Sequence, residues 1–473
     1  MVKNKLLVRI FSSGMQAVAV QLLGSVFFYF ISIYLSKDSF GIISWMNAVC
    51  LLLTTLLGFG LEQVVIRRIA ASNRSDWAAT AFFVHAVAGF LAVLLLLLIL
   101  SNIFKDKEIY RLLPWFFTAQ GLIYIGTPLK QFLNAKERFT PYGIIAVISN
   151  IGKIAAAYLL LQSRLLSIKT VMIILICTSA FELLCLLIYV LKKTDFGFKV
   201  RFKAYTKLIK ESSAQYISVI FDMSLSRMDW ILLGVMTSNV VLADYSFAYR
   251  AFELARLPIF IIAPVILPRL SRLMSLNNKP DEKQQGHINS FITVEMFFAV
   301  LIPLALNILW VPVITLITKG KYGDANAMQF GVLSLCIPLL LFINLLWSLS
   351  FGAKKYKAVT GITIICAVTN IALNLILIPM IGGEGAAIAF FVTTVLQAGL
   401  YYKLANKQIL IVKLRPAIVF IVLGAVIYLI ILHINVPFMV QFFLAITAYL
   451  LLAVLSKQIT RQQLYNFKHL LTK

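Results

Sequence analysis

The sequence predicts an all-α polytopic membrane protein, with about fourteen transmembrane helices in two six-helix repeat lobes plus a C-terminal helix pair. Three observations carry this expectation. Hydrophobic residues make up 61% of the 473 positions, above the half or so found in soluble chains. Apolar runs of about 20 residues, the length that crosses a bilayer, recur from end to end. Lys and Arg concentrate in alternate connections between those runs, the asymmetry that marks cytoplasmic loops.

Taken in order, the first run follows Lys3, Lys5 and Arg9. It is longer than a signal-peptide core and lacks a small-residue cleavage site, so it reads as a retained span. The first six spans are expected at Phe11–Leu35, Phe40–Phe59, Trp77–Phe104, Leu112–Phe132, Pro141–Gln162 and Ile168–Leu191. The next six are expected at Ser212–Met236, Tyr245–Leu267, Ile288–Ile317, Ala325–Phe351, Ala358–Pro379 and Gly385–Leu404. Val412–His433 and Pro437–Ser456 complete the count. The basic connections alternate through all of them, which places both termini on the cytoplasmic side.

The most basic connection lies between spans six and seven. It suggests residues 1–191 as an N-terminal six-helix lobe, 192–210 as a basic cytoplasmic linker, 211–404 as a second six-helix lobe, and 405–473 as an extra helix pair with its tail. The linker reads as a positive-inside anchor, with anionic lipid binding as the alternative. The lobes carry traces of a repeat: Ala135-Lys136 and Gly143 recur as Ala353-Lys354 and Gly361, and Asn150 is echoed by Asn370. Two halves that both start inside form a parallel repeat about an axis along the membrane normal, with substrate held between them near the midplane.

The net charge of +25 does not indicate nucleic acid, because the basic residues punctuate apolar helices instead of lining a soluble face. The five cysteines fall in apolar segments and read as small buried residues. The four histidines are scattered, so no metal site and no cofactor are expected. No phosphate-cradling glycine loop and no nucleophile–base pair is visible, and the external connections are short. A transporter is therefore expected in preference to an enzyme.

The functional signal is charge inside the apolar layer, at a cost of about 3 kcal/mol per residue on insertion scales. The stretch from Glu211 to Leu273 carries Asp222, Arg227, Asp229, Arg250, Glu253 and Arg256. Lys153, Arg227 and Arg250 fall about 15, 14 and 8 Å below the outer edge at 1.5 Å per residue. Arginine suits phosphate, because its planar fork bonds two oxygens at once. The competing reading pairs each cation with an acid, and Arg250, Glu253 and Arg256 have the i,i+3 spacing for it. On a helical wheel Asp222 and Asp229 share a face while Arg227 points away, so its counter-charge is expected elsewhere. Glu182 and Glu295 are single acids in apolar helices, open to proton carriage or to structural pairing. Thr363, Asn370 and Asn374 align on span eleven, where hydrogen bonding between helices is the ordinary role. Tyr245, Tyr249 and Phe252 suit stacking on sugar rings or an interfacial belt. Pro258, Pro264 and Pro303 suit hinges.

Several stretches together resemble one family. NIALNLILIPMIGGEGAAIA (Asn370–Ala389), YLSKDSFGIIS (Tyr34–Ser44), GFGLEQVVIRRIA from Gly58, and SRMDW…ADYSFAYRAFEL…LPRLSRL from Ser226 are similar to segments of the Wzx-type oligosaccharide flippases. These belong to the multidrug/oligosaccharidyl-lipid/polysaccharide exporter superfamily. In YLSKDSFGIIS, Ser36-Lys37 replaces the family's usual L-G. The resemblance implies alternating access driven by an ion gradient, H+ or Na+, or by the membrane potential. The cargo implied is an undecaprenyl-diphosphate-linked oligosaccharide of O-antigen, capsule or exopolysaccharide, crossing the bacterial inner membrane. A polysaccharide polymerase and a chain-length regulator are its implied partners. Arg227, Asp229 and Arg250 match positions that would lie in the central cavity. The candidate substrate-binding set is Arg227, Arg250, Lys153, Asp229, Asn370 and Asn374, and the candidate ion-coupling set is Glu182, Asp222, Glu253 and Glu295. A lipid II flippase and a drug/cation antiporter of the same superfamily are the alternatives. Against the first, span one has no charge between Ile10 and Leu35; against the second, it offers no acid.

Overall fold

Long apolar runs have no water to satisfy their backbone groups in a bilayer, so they must satisfy them internally as helices. In the computed structural model, every element longer than a turn among the described residues is helical. The described residues are 2–72, 76–104, 108–194, 196–197, 202–257, 282–460 and 463. The chain is a polytopic membrane protein. Nine of its helices are long and apolar enough, by length and composition, to cross a membrane among the described residues.

The packing forms two compact units, Met1–Ala243 and Asp244–Lys473. The first holds α1 (Val2–Tyr34), α2 (Lys37–Gly58), α3 (Leu61–Ser72), α4 (Asp76–Ile103) and α5 (Glu108–Ala135). It continues with α6 (Phe139–Gln162), α7 (Ile168–Lys193), α8 (Phe202–Met236) and the start of α9 (Asn239–Ala255). The second holds the rest of α9, then α10 (Glu282–Ile317), α11 (Ala327–Gly352), α12 (Tyr356–Gln408), α13 (Arg415–Leu432) and α14 (Phe438–Leu455).

Each expected span has a helix. Spans eleven and twelve are the two halves of α12, divided where Ile381 and Gly382 leave helical geometry. Gly382 adopts φ 58°, ψ −129°, a conformation open to glycine and strained for any residue with a Cβ. Pro379 lies just before that break and Gly383 and Gly385 just after it, so the sequence marks the corner. The overlong ninth span is one helix of 36 residues with Pro303 and Pro312 inside it. The eighth span is helical to Ala255, and Pro258 and Pro264 lie outside the described residues.

The structure adds one helix between spans two and three. In α3 the apolar Leu61, Val64, Val65 and Ile69 recur at helical spacing and are buried. They join a cluster with Phe82 and Phe132 and with Leu208 from the extension of α8 before span seven. Polar residues fasten the same region. Arg68 donates to both carboxylate oxygens of Glu211, through Nε at 2.9 Å and through Nη2. His85 donates from Nε2 to the Leu57 carbonyl at 2.7 Å, and its Nδ1 meets the Tyr205 hydroxyl at 2.8 Å.

Elsewhere in the first unit α2 lies close against α8. Trp45 donates from Nε1 to the Ile231 carbonyl at 3.3 Å. A Cβ on Gly234 would come within 1.9 Å of the Trp45 ring, so only glycine permits this approach. Outward faces of the helices are apolar, as on α4 with Leu91, Leu95 and Leu98, which is the pattern of a lipid-facing surface. The cysteines follow it unevenly: Cys50, Cys336 and Cys366 are buried, Cys185 is partly buried and Cys177 is exposed. The expectation that all five are buried is corrected at Cys177.

Candidate functional site

In the first unit, charged side chains converge from three neighbouring helices. Lys130 on α5 pairs with Glu182 on α7 at 2.7 Å. Lys153 on α6 donates to Asn150 Oδ1 at 3.3 Å, and Asn150 donates in turn to the Ala146 carbonyl at 2.8 Å. Glu182 and Lys130 are the charges that act on Lys153. The cluster therefore sets two basic side chains beside one acid. Lys130 is not among the residues expected from sequence: it lies near the end of span four.

Arg227 on α8 lies with its guanidinium 4.9 Å from the Trp230 ring, and Nη1 reaches the Ser226 carbonyl at 3.4 Å. The ring face supplies a cation–π contact, which no charge pattern reveals. Asp229 is buried and accepts from the Trp230 backbone N–H at 2.8 Å. The helical wheel aligns Asp222 with Asp229, but Asp222 is exposed. Two turns along α8 the neighbours change, so equal angle does not mean equal environment.

In the second unit, Arg250 pairs with Glu253 at 2.8 Å along α9, the local ladder that the spacing allows. Arg256 extends over the Phe252 ring at 5.1 Å. The aromatic set is neither an open platform nor an interfacial belt. Tyr245, Tyr249 and Phe252 are buried, and Tyr249 and Phe252 meet Phe390 of α12 edge-on at 5.9 and 5.6 Å.

Asn370 and Asn374 form a buried polar knot across the α12 corner. Asn374 donates from Nδ2 to the Asn370 carbonyl and to its Oδ1, both at 2.9 Å. Asn370 donates to Thr393 Oγ1 at 3.3 Å, tying the two halves of the helix together. Thr363 bonds its own helix at the Val359 carbonyl. Glu295 on α10 is buried, and its Oε2 has no hydrogen-bond partner among the described residues. A buried carboxyl without a partner is costly when charged.

Charged side chains set into apolar helices are expensive, and in membrane proteins they mark the paths of substrates and ions. The fold agrees with a transporter. It is similar to the lipid II flippase MurJ in an inward closed conformation, with 16% identity and a TM-score of 0.73 over 93% of this chain and 97% of that one. It is also similar to an inward-facing multidrug resistance MATE family transporter of the MOP superfamily, with 13% identity and a TM-score of 0.67 over 82% and 94% of the two chains. A point mutant of the MATE transporter VcmN of Vibrio cholerae shares 14% identity and a TM-score of 0.60 over 85% and 98%. The protein thus has the fold of the MOP-superfamily transporters. More particularly, the chain belongs to the polysaccharide biosynthesis protein family, whose sequence profile matches residues 6–274. Comparison with curated proteins finds no match.

Proposed function

We propose that the protein is a Wzx-type flippase that carries an undecaprenyl-diphosphate-linked oligosaccharide of O-antigen, capsule or exopolysaccharide across the bacterial inner membrane. Both termini face the cytoplasm in this reading, and the lobes divide at the 192–210 linker. The observation that carries it is Arg227, a guanidinium seated on Trp230 within α8, in a chain of the polysaccharide biosynthesis family. Arg227, Lys153 and Arg250 supply the positive charge that a diphosphate requires, and Asp229, Asn370 and Asn374 supply polar contacts. Glu295, with Glu182, Glu253 and Asp222, supplies carboxylates that can take up H+ or Na+ as the cycle turns. No catalytic step belongs to this reading, and the products pass to a polymerase and its chain-length regulator.

A deletion strain tests it. Lipid-linked glycan should accumulate on the cytoplasmic side while surface polymer is lost, and the wild-type gene should restore export where Arg227→Gln, at equal membrane abundance, does not. Normal surface glycan with new sensitivity to cationic drugs would overturn the reading in favour of an antiporter. The likeness to a lipid II flippase supports a second reading, in which loss of the gene halts cell-wall synthesis and is lethal.

A further inference from the structure

The second unit contains a cavity of about 740 Å³ between α10, α11, the second half of α12 and α13. Its walls are almost wholly apolar, with Val300, Leu304, Val332, Leu335, Val395 and Leu429 among them. The hollow follows from the sequence. Gly331 contributes no side chain, and Pro303 and Pro338 lie within helices beside it. Of its polar groups, Asn307 spends its donors inside the protein, on the Pro303 carbonyl at 2.8 Å and on Ser334 Oγ at 2.7 Å.

Size and depth both select the occupant. Along α10 the lining runs from Val300 to Val311, about 17 Å at 1.5 Å per residue. Half of a bilayer's hydrocarbon core is about 15 Å thick. The volume would hold roughly two dozen groups of the ~30 Å³ that a water occupies in the liquid, and a methylene is of similar size. That is one acyl chain with room to bend, and well short of a long polyprenyl chain. Met328, Leu335 and Leu429 line the cavity and are exposed, so it is open on one side.

Charge marks one end. The turn after α10 carries Lys319 and Lys321 and leads through the short Asp324–Asn326 turn into α11, whose first residue, Ala327, already lines the cavity. We propose that this cavity is a phospholipid site, holding one acyl chain of a glycerophospholipid whose phosphate is met by Lys319 and Lys321. The site lies within one compact unit, and none of the cations assigned to the cargo lines it. It stands whether or not the cargo is a lipid-linked glycan.

The full-length protein is reconstituted in phosphatidylethanolamine vesicles containing phosphatidylglycerol with a diazirine on one acyl chain. After irradiation and digestion, adducts are expected on residues 327–339 and 421–429. Gly331→Leu combined with Ala425→Leu fills the cavity and should reduce those adducts several-fold, leaving adducts on the lipid-facing side of α4 unchanged. Val395→Phe does the same from a different wall if the pair does not fold. Lys319→Gln with Lys321→Gln should also lower the yield. Adducts that persist in the filled variants overturn the proposal. Displacement of the adducts by added undecaprenyl phosphate also overturns it, and assigns the cavity to a prenyl chain.

Discussion

Lys130 Nζ lies 2.7 Å from Glu182 Oε1, joining α5 to α7 through side chains that are 22% and 11% exposed. Both charges are largely covered by the protein, so each leans on the other. Removing one partner of a buried pair costs about 3–5 kcal/mol, because the remaining charge is left uncompensated. Lys130→Met or Glu182→Gln alone should therefore lower the thermal midpoint of the purified protein sharply. The double variant Lys130→Met/Glu182→Gln should recover most of the loss. A double-mutant cycle in detergent micelles measures the coupling, and purely additive losses would show that the pair is not a unit.

Lys153 should behave differently. Among the described residues its ammonium donates to Asn150 Oδ1 at 3.3 Å, and it adds a second basic side chain beside a single acid. Lys153→Met should leave the thermal midpoint unchanged or raise it, while reducing glycan export in cells. A loss of stability with export intact would make Lys153 a structural residue.

The Arg68–Glu211 contact makes the join between α3 and α8 sensitive to acid. The Arg68 hydrogen bonds, with Arg67, Arg68 and Lys207 nearby, hold the Glu211 carboxyl below its usual range. The folded value is thus below the unfolded one of about 4.3. The contact's stabilisation is complete above that unfolded value and is lost as pH falls through the folded one. Amide exchange in α3, corrected for its intrinsic pH dependence, should rise as the medium is acidified below about 4. In Glu211→Gln it should be elevated already at neutral pH and should not respond to acid.

Gly382→Ala tests the corner of α12. The position has φ 58° and ψ −129°, and a side chain there costs about 1–3 kcal/mol of backbone strain. Ile381→Ala, next to it at a negative φ, should be far milder. Equal melting midpoints for the two variants would contradict a glycine requirement.

Gly234→Ala probes the approach of α2 to α8. The new Cβ would fall 1.9 Å from the Trp45 ring, and overpacking of this kind costs about 1–3 kcal/mol. Trp45→Leu in the same chain should relieve part of the loss, as read by thermal unfolding of the two variants.

The helices were legible because hydropathy and length act locally. Each expected span has its helix, and even the break between spans eleven and twelve is written in Pro379, Gly382 and Gly385. The α3 helix was legible in principle, since Leu61, Val64, Val65 and Ile69 mark one face, but twelve residues are too few to register beside membrane-length runs. The Arg250–Glu253 pair was legible for the same local reason, three residues along one helix. Glu182's partner was not, because Lys130 is 52 positions away and nothing in either segment points to the other.

By itself, then, the sequence determined that this chain lives in a membrane, where its long apolar helices run, and which charges must be explained. The preference of a run of twenty apolar residues for lipid is set by those residues themselves. Only the tertiary structure decided how those charges are met: Glu182 by Lys130, Asp222 outward and Asp229 inward. It alone revealed the acyl-sized cavity, since a void is made by residues from four helices failing to fill one space. Pairing and packing are set by distances between helices, and those distances are not written in any one of them.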